Sequence, residues 1–157
     1  MTRFVSQHDE YSCGPIAIIN AAKWSGLKKR CGRRYTRADL PKLRRWCNTD
    51  KHLGTPTKYM VNTLKRLGFK TTLKYKLTFA QLNMYLKQGK SVIIGSYGFG
   101  KKKDDGHWYF VPEKSGDRFR VINLEVENNA TISRKEIRSV LNDRKNDGGW
   151  PVAIILS

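Results

Sequence analysis

Gln7-His8-Asp9-Glu10-Tyr11-Ser12-Cys13-Gly14-Pro15 runs directly into Ile16-Ala17-Ile18-Ile19-Asn20-Ala21-Ala22-Lys23-Trp24-Ser25-Gly26. A polar, irregular segment gives way at Cys13 to an apolar one. Ile16, Ile18, Ile19 and Ala22 recur at helical spacings, and Gly26 supplies a stop. Pro15 is tolerated in a first helical turn, whose N–H groups lack internal partners. Cys13 therefore sits at a helix start, where backbone donors stabilise negative charge and favour thiolate over thiol. Ser12 or the local backbone caps this helix; the sequence leaves the choice open. Gly14 permits close approach of a substrate backbone. A buried core cysteine is the bland alternative from this window alone.

Outward from this stretch, helices come first and strands mainly follow. Thr36 and Asp39 precede a short helix in Leu40-Pro41-Lys42-Leu43-Arg44-Arg45-Trp46. Pro56 opens a helix closed by Gly68, and Thr78 with Gln81 forms a capping box for a helix stopped by Gly89. Between them Phe69-Lys70-Thr71-Thr72-Leu73-Lys74-Tyr75-Lys76-Leu77 reads as a strand. Further strands are expected at 91–97, at 107–112, and at 117–124 after a turn at 113–117. Ser133 and Glu136 cap a last helix through Leu141, and 151–156 is an apolar terminal strand. Regular βαβ alternation is lacking. The expectation is one α+β domain over 1–157, an N-terminal helical part packed on an antiparallel β-sheet.

A second window bears on chemistry. His107 begins the apolar run His107-Trp108-Tyr109-Phe110-Val111 after a polar, glycine-flanked loop, and Asn123 ends Arg120-Val121-Ile122-Asn123. An imidazole at a strand edge can take a thiol proton and return it to a leaving amine. If the two strands form a hairpin, an Asn123 amide oxygen can accept the second imidazole N–H and orient the ring. Taken singly, His107 could be structural and Asn123 a turn residue.

With these residues assembled, the chain resembles a papain-like cysteine peptidase, specifically the compact C39-like branch of bacteria and phages. Gln7 stands six residues before Cys13, where that family places its oxyanion-hole glutamine. The likeness continues through Cys13-Gly14-Pro15, Gly54-Thr55, Lys90-Ser91-Val92-Ile93-Ile94, Gly106-His107-Trp108-Tyr109-Phe110-Val111 and Asn123. One departure is Leu124-Glu125 after Asn123, where the family often has a proline. The resemblance implies a papain-like fold, no cofactor, a protein or peptide substrate, and a site of Cys13, His107, Asn123 and Gln7. Peptide or isopeptide hydrolysis through an acyl-enzyme follows from it. An acyltransferase or transglutaminase-like enzyme would use the same residues, and a silent scaffold serving as a basic binding module would keep them without turnover. Groove candidates are Asp9, Gly14, Tyr97, Phe99 and Trp108, though Trp108 could equally pack under the sheet. His8 is a competing base that more simply lines the entrance.

Cys31, Cys47 and His52 lack paired zinc spacing and a fourth ligand, so free core cysteines and no metal are expected. Gly95, Gly98 and Gly100 lack the GxxxxGK[ST] arrangement of a phosphate loop. The segment they occupy reads instead as a loop leading to His107.

Charge is the other outlying feature. The 157 residues carry 31 Lys+Arg against 13 Asp+Glu, a net +18. The hydrophobic fraction of 39% excludes a disordered basic tail. No apolar run is long enough to span a membrane, and the start has no secretory h-region, so a cytoplasmic or virion-associated protein is expected. Residues 23–51 hold 11 Lys+Arg against only Asp39 and Asp50, half of the net charge. Lys28, Lys29, Arg30, Arg33, Arg34, Arg44 and Arg45 are the anion-binding candidates. Nucleic acid, an acidic protein or an anionic membrane surface fits them, and no helix-turn-helix, finger or RNP motif narrows the choice.

Overall fold

The computed structural model describes residues 4–96, 106–125, 128–142 and 151–157. Its first helix, α1 (Cys13–Trp24), is buried from Cys13 through Ala22. A helix apolar on every side must be enclosed on every side. Here the enclosure comes from the sheet below and two helices above, α2 (Leu40–Trp46) and α3 (Thr57–Leu67). A 3-10 turn over Arg37–Asp39 leads into α2, closed by the reciprocal Thr36 and Asp39 capping bonds. Gly68 ends α3 at φ 102°, a left-handed conformation that side chains resist.

The remaining elements are β1 (Thr71–Tyr75), α4 (Phe79–Lys87), β2 (Ser91–Ser96), β3 (His107–Val111), β4 (Lys114–Ser115), β5 (Arg118–Glu125), β6 (Asn128–Ser133), α5 (Arg134–Leu141) and β7 (Val152–Leu156). Strand order is β1-β7-β2-β3-β5-β4, with β6 also on β5, and every pairing is antiparallel. The last strand, β7, thus lies between β1 and β2, with Leu73 opposite Ile154 and Ile93 also opposite Ile154.

Alternation along the strands separates two cores. Ile93, Trp108, Phe110, Ile122, Val152 and Ile154 pack with α1, α2 and α3 on one face. Val92, Ile94, Tyr109, Val111, Ala153 and Ile155 pack on the other with Leu82 and Leu86 of α4 and Ile137 and Leu141 of α5. The N-terminal helices do pack on an antiparallel sheet, as expected, but α4 and α5 cover its reverse. Both faces being dry explains why β2 and β7 read as continuous apolar runs. The capping boxes expected at Thr78/Gln81 and Ser133/Glu136 are both formed.

Two strands lack a clear sequence signal. β4 lies inside the expected turn, pairing Lys114 with Phe119. β6 begins Asn128-Asn129-Ala130, poor strand formers, and is held by pairs such as Phe119 with Ile132. No helix among the described residues is long and apolar enough to cross a membrane.

One polar residue is built into α1. The Asn20 side chain, fully buried, accepts from the Val5 backbone N–H at 2.7 Å and donates to the Val5 carbonyl at 3.0 Å. It pairs the incoming chain as a neighbouring strand would, two residues before Gln7. Asn20→Ala removes both partners and should cost about 1–3 kcal/mol. The check is chemical denaturation together with faster hydrogen exchange at the Val5 amide; unchanged exchange there would contradict this account.

Candidate active site

Cys13 opens α1 with only 3% of its surface exposed. Its sulfur is within hydrogen-bonding reach of backbone N–H groups of Trp108, Gly14 and Cys13 itself. The Trp108 contact places the sulfur at the start of β3, beside the backbone of His107. Ser12 does not cap the helix with its side chain. Its hydroxyl instead donates to Asp9 at 2.9 Å and accepts from Arg44 Nε at 2.7 Å. Of the first turn, the N–H groups of Cys13 and Gly14 lie by the sulfur, while that of Ile16 donates to the Ser12 carbonyl at 3.0 Å.

Those donors favour thiolate, but they do not win. Burial pushes the Cys13 thiol up to about 11, outweighing the backbone N–H groups that lower it. The expectation of a thiolate from the helix terminus alone is corrected accordingly.

Gln7 is buried, and its side-chain Nε2 donates to the Asp9 carbonyl. The Asp9 carboxylate accepts from the backbone N–H of Tyr11 at 3.1 Å and Ser12 at 2.7 Å, and forms an ion pair with Arg44. Arg44 also lies over the Tyr11 ring, 4.8 Å from its centroid. Asp9 therefore shapes the turn between Gln7 and Cys13. Arg44, expected among the anion-binding residues, already has its anion within the chain.

Thr55 joins three segments. The Trp108 indole N–H donates to its carbonyl at 3.0 Å, and its hydroxyl meets that of Thr49 at 2.7 Å. A Cβ on Gly14 would lie 2.7 Å from the Thr55 Cβ and 2.8 Å from the Met60 sulfur. The close approach that Gly14 permits is thus made by the protein's own chain. Trp108, for which a groove wall and a place under the sheet were both open, is buried in the first core. Gly54-Thr55 entered the sequence reading only as part of the resemblance, without this packing role; a glycine in an otherwise filled helix was the signal that something presses there.

The His107 ring packs against Tyr109, with centroids 4.7 Å apart. Asn123 lies in β5 directly after Ile122, which pairs with Phe110 of β3. That brings the two strands side by side; the Asn123 side chain lies outside the described residues, as do Tyr97 and Phe99. His8 is exposed and lines a cavity of about 440 Å3 with Phe4, Lys23 and Arg37.

Lys28, Lys29 and Arg30 line a cavity of about 640 Å3 together with Lys42 and Arg66, neither of which was singled out from the sequence. Lys42 and Trp46, one helical turn apart, were the overlooked signal. Arg33, Arg34 and Arg45 are exposed outside that lining. Cys47 is a free core cysteine, whereas Cys31 is exposed and belongs to no core. Among the described residues no group of three His, Cys, Asp or Glu side chains could hold a metal.

Several solved structures share this architecture. The peptidase domain of Streptococcus ComA, a bi-functional ABC transporter involved in quorum sensing, matches 100% of this chain and 98% of its own at 22% identity, TM-score 0.70. A double glycine motif protease from an AMS/PCAT transporter, solved with its leader peptide, matches 99% and 91% at 10% identity, TM-score 0.66. A putative C39-like peptidase from Bacillus anthracis matches 99% and 94% at 11% identity, TM-score 0.64. No protein-family model matches the chain, and no curated sequence matches it significantly. The fold is that of papain-like cysteine peptidase domains of the C39-like type.

Gly14→Ala should force Thr55 or α1 to shift, costing about 1–3 kcal/mol, read as a lowered denaturation midpoint. Cys13 and Cys47 both have thiols raised to about 11 by burial, above the ordinary value of 9.0. The folded state then holds these protons more tightly than the unfolded state. Their stabilising effect is complete below pH 9 and lost as pH rises toward 11. Urea midpoints should fall across that window, and less steeply in Cys47→Ala; an equally steep fall in the variant would refute the assignment for Cys47.

Proposed function

We propose that the chain is a cysteine peptidase in which Cys13 is the nucleophile, His107 the general base and acid, Asn123 the residue orienting His107, and Gln7 an oxyanion donor. The observation that carries this reading is the Trp108 backbone N–H on the Cys13 sulfur, joining a helix N-terminus to the strand start bearing His107. Because burial holds the thiol protonated, the proton passes to His107 as sulfur attacks the substrate carbonyl carbon. The carbonyl π bond opens to an oxyanion, which the Cys13 backbone N–H and the Gln7 carboxamide stabilise. One such donor is worth roughly 3–4 kcal/mol in a comparable site. Collapse breaks the C–N bond, and His107 returns the proton to the leaving amine. Water, deprotonated by His107, then cleaves the thioester to a carboxylic acid and free thiol.

The substrate class is a peptide or isopeptide bond in a protein. A peptide carrying a double-glycine motif is the first to try, since one structurally similar protease is described by that motif. The burial of Cys13 favours a second reading, a silent scaffold whose remaining function is binding.

Incubation of the protein with such peptides and a thiol-directed acylating probe should yield cleavage and a covalent adduct on Cys13. Cys13→Ala and His107→Ala should each abolish turnover, whereas Asn123→Ala should lower kcat partially. Full turnover by Cys13→Ala would sink the reading. Folded protein giving neither cleavage nor adduct would favour the silent scaffold.

A further inference from the structure

The basic cavity lies away from Cys13. Cys13 opens α1, a helix of 12 residues about 18 Å long, whereas the cavity is lined by Lys28, Lys29, Arg30 and Cys31 of the chain that follows its other end. On α3 the pattern repeats: Met60, near its start, touches the Gly14 position, whereas Arg66, Leu67 and Gly68 at its end line the cavity. A peptide held at Cys13 is therefore not what the cavity was shaped around.

Its charge is almost unopposed. Lys28, Lys29, Arg30, Lys42 and Arg66 meet there against one carboxylate, Asp39, which pairs with Lys29 at 2.6 Å. Arg44, on the other flank of α2, shows the contrast, since Asp9 neutralises it. Two rings hold the cations in place. Lys42 sits 4.5 Å and Arg66 3.8 Å from the Trp46 ring centroid, and Lys29 sits 5.7 Å from that of Tyr35. Cations brought together from a loop and two helices repel one another, and a multiply charged anion relieves that repulsion.

We propose that this cavity binds single-stranded nucleic acid, its phosphates on Lys28, Arg30, Lys42 and Arg66 and a base against the partly exposed Tyr35, since Lys42 and Arg66 already lie over the Trp46 ring. Cationic grooves interleaved with aromatic rings suit a strand that carries both a charge and a π-face on every residue. An acidic peptide offers the charge without the π-faces.

The test is fluorescence anisotropy with a dye-labelled oligothymidylate, the matching duplex and polyglutamate over a salt series. The oligothymidylate should bind most tightly, with a log–log salt slope of about −0.7 per phosphate contacted. The triple variant Lys28→Glu, Arg30→Glu, Arg66→Glu changes exposed side chains only. It should bind about tenfold or more weakly with a shallower slope. A control triple at the exposed positions Lys76→Glu, Lys87→Glu, Lys135→Glu makes the same change in net charge elsewhere and should bind nearly as the parent does. Cys31, the exposed one of the three cysteines and part of the cavity wall, should be alkylated more slowly when the oligothymidylate is bound. Equal weakening in both triples, tighter binding of duplex or polyglutamate, or an unprotected Cys31 would each overturn the proposal.

Discussion

The first turn of α1 touches Thr55 so closely that no side chain fits at position 14. Much of the candidate site depends on that contact. Thr55 holds the Trp108 indole by its carbonyl and the Thr49 hydroxyl by its own, tying α1, β3 and the α2–α3 connection at one residue. The backbone N–H of Trp108 reaches the Cys13 sulfur. A displacement of α1 by one methyl group would be transmitted to the sulfur and to the strand start together. Close-packed interiors transmit such changes because no slack absorbs them.

On the other side of Cys13 the constraint is polar. Asp9 receives two backbone N–H groups, the Ser12 hydroxyl and the Arg44 guanidinium. This fixes the turn that leads from Gln7 to Cys13, while Asn20 fixes the chain just before it. The segment from Val5 to Ser12 has no regular secondary structure, so these side chains supply the bonds a sheet would otherwise provide. Within one short helix, α2, Arg44 serves this turn and Lys42 serves the basic cavity. A run that reads as uniformly cationic is divided by helical geometry into two environments.

The legible parts of the sequence were those decided locally. Capping boxes at Thr78/Gln81 and Ser133/Glu136 and the left-handed stop at Gly68 each depend on residues within one turn. β6 was not legible, because Asn128-Asn129 joins the sheet only through its partner β5. The covering of both sheet faces was hidden for a related reason. The order of elements shows helices first, but it does not show that α4 and α5 pass behind the sheet. Of the candidate site, the position of Cys13 at a helix start was readable from Gly14-Pro15 and the apolar run beyond. The role of Thr55 was not, since it depends on contacts from residues 41 and 53 positions away in the chain.

The sulfur shows most clearly how a local rule can be outweighed. A helix N-terminus and three backbone N–H groups all favour thiolate, and sequence reasoning stops there. Enclosure by the same helix, the sheet and Trp108 removes the water that would solvate the charge, and this larger effect leaves the proton on sulfur. The two effects have one origin, because the packing that brings the N–H of Trp108 to the sulfur is also what excludes water from it. A carbonyl seated beside Cys13 would change the balance without moving the protein. As the carbon–sulfur bond forms, the negative charge leaves sulfur for oxygen, so a site that disfavours a resting thiolate need not disfavour the charge once it has moved. Burial of this kind penalises the ground-state ion more than the transition state, where preorganised N–H groups meet the displaced charge.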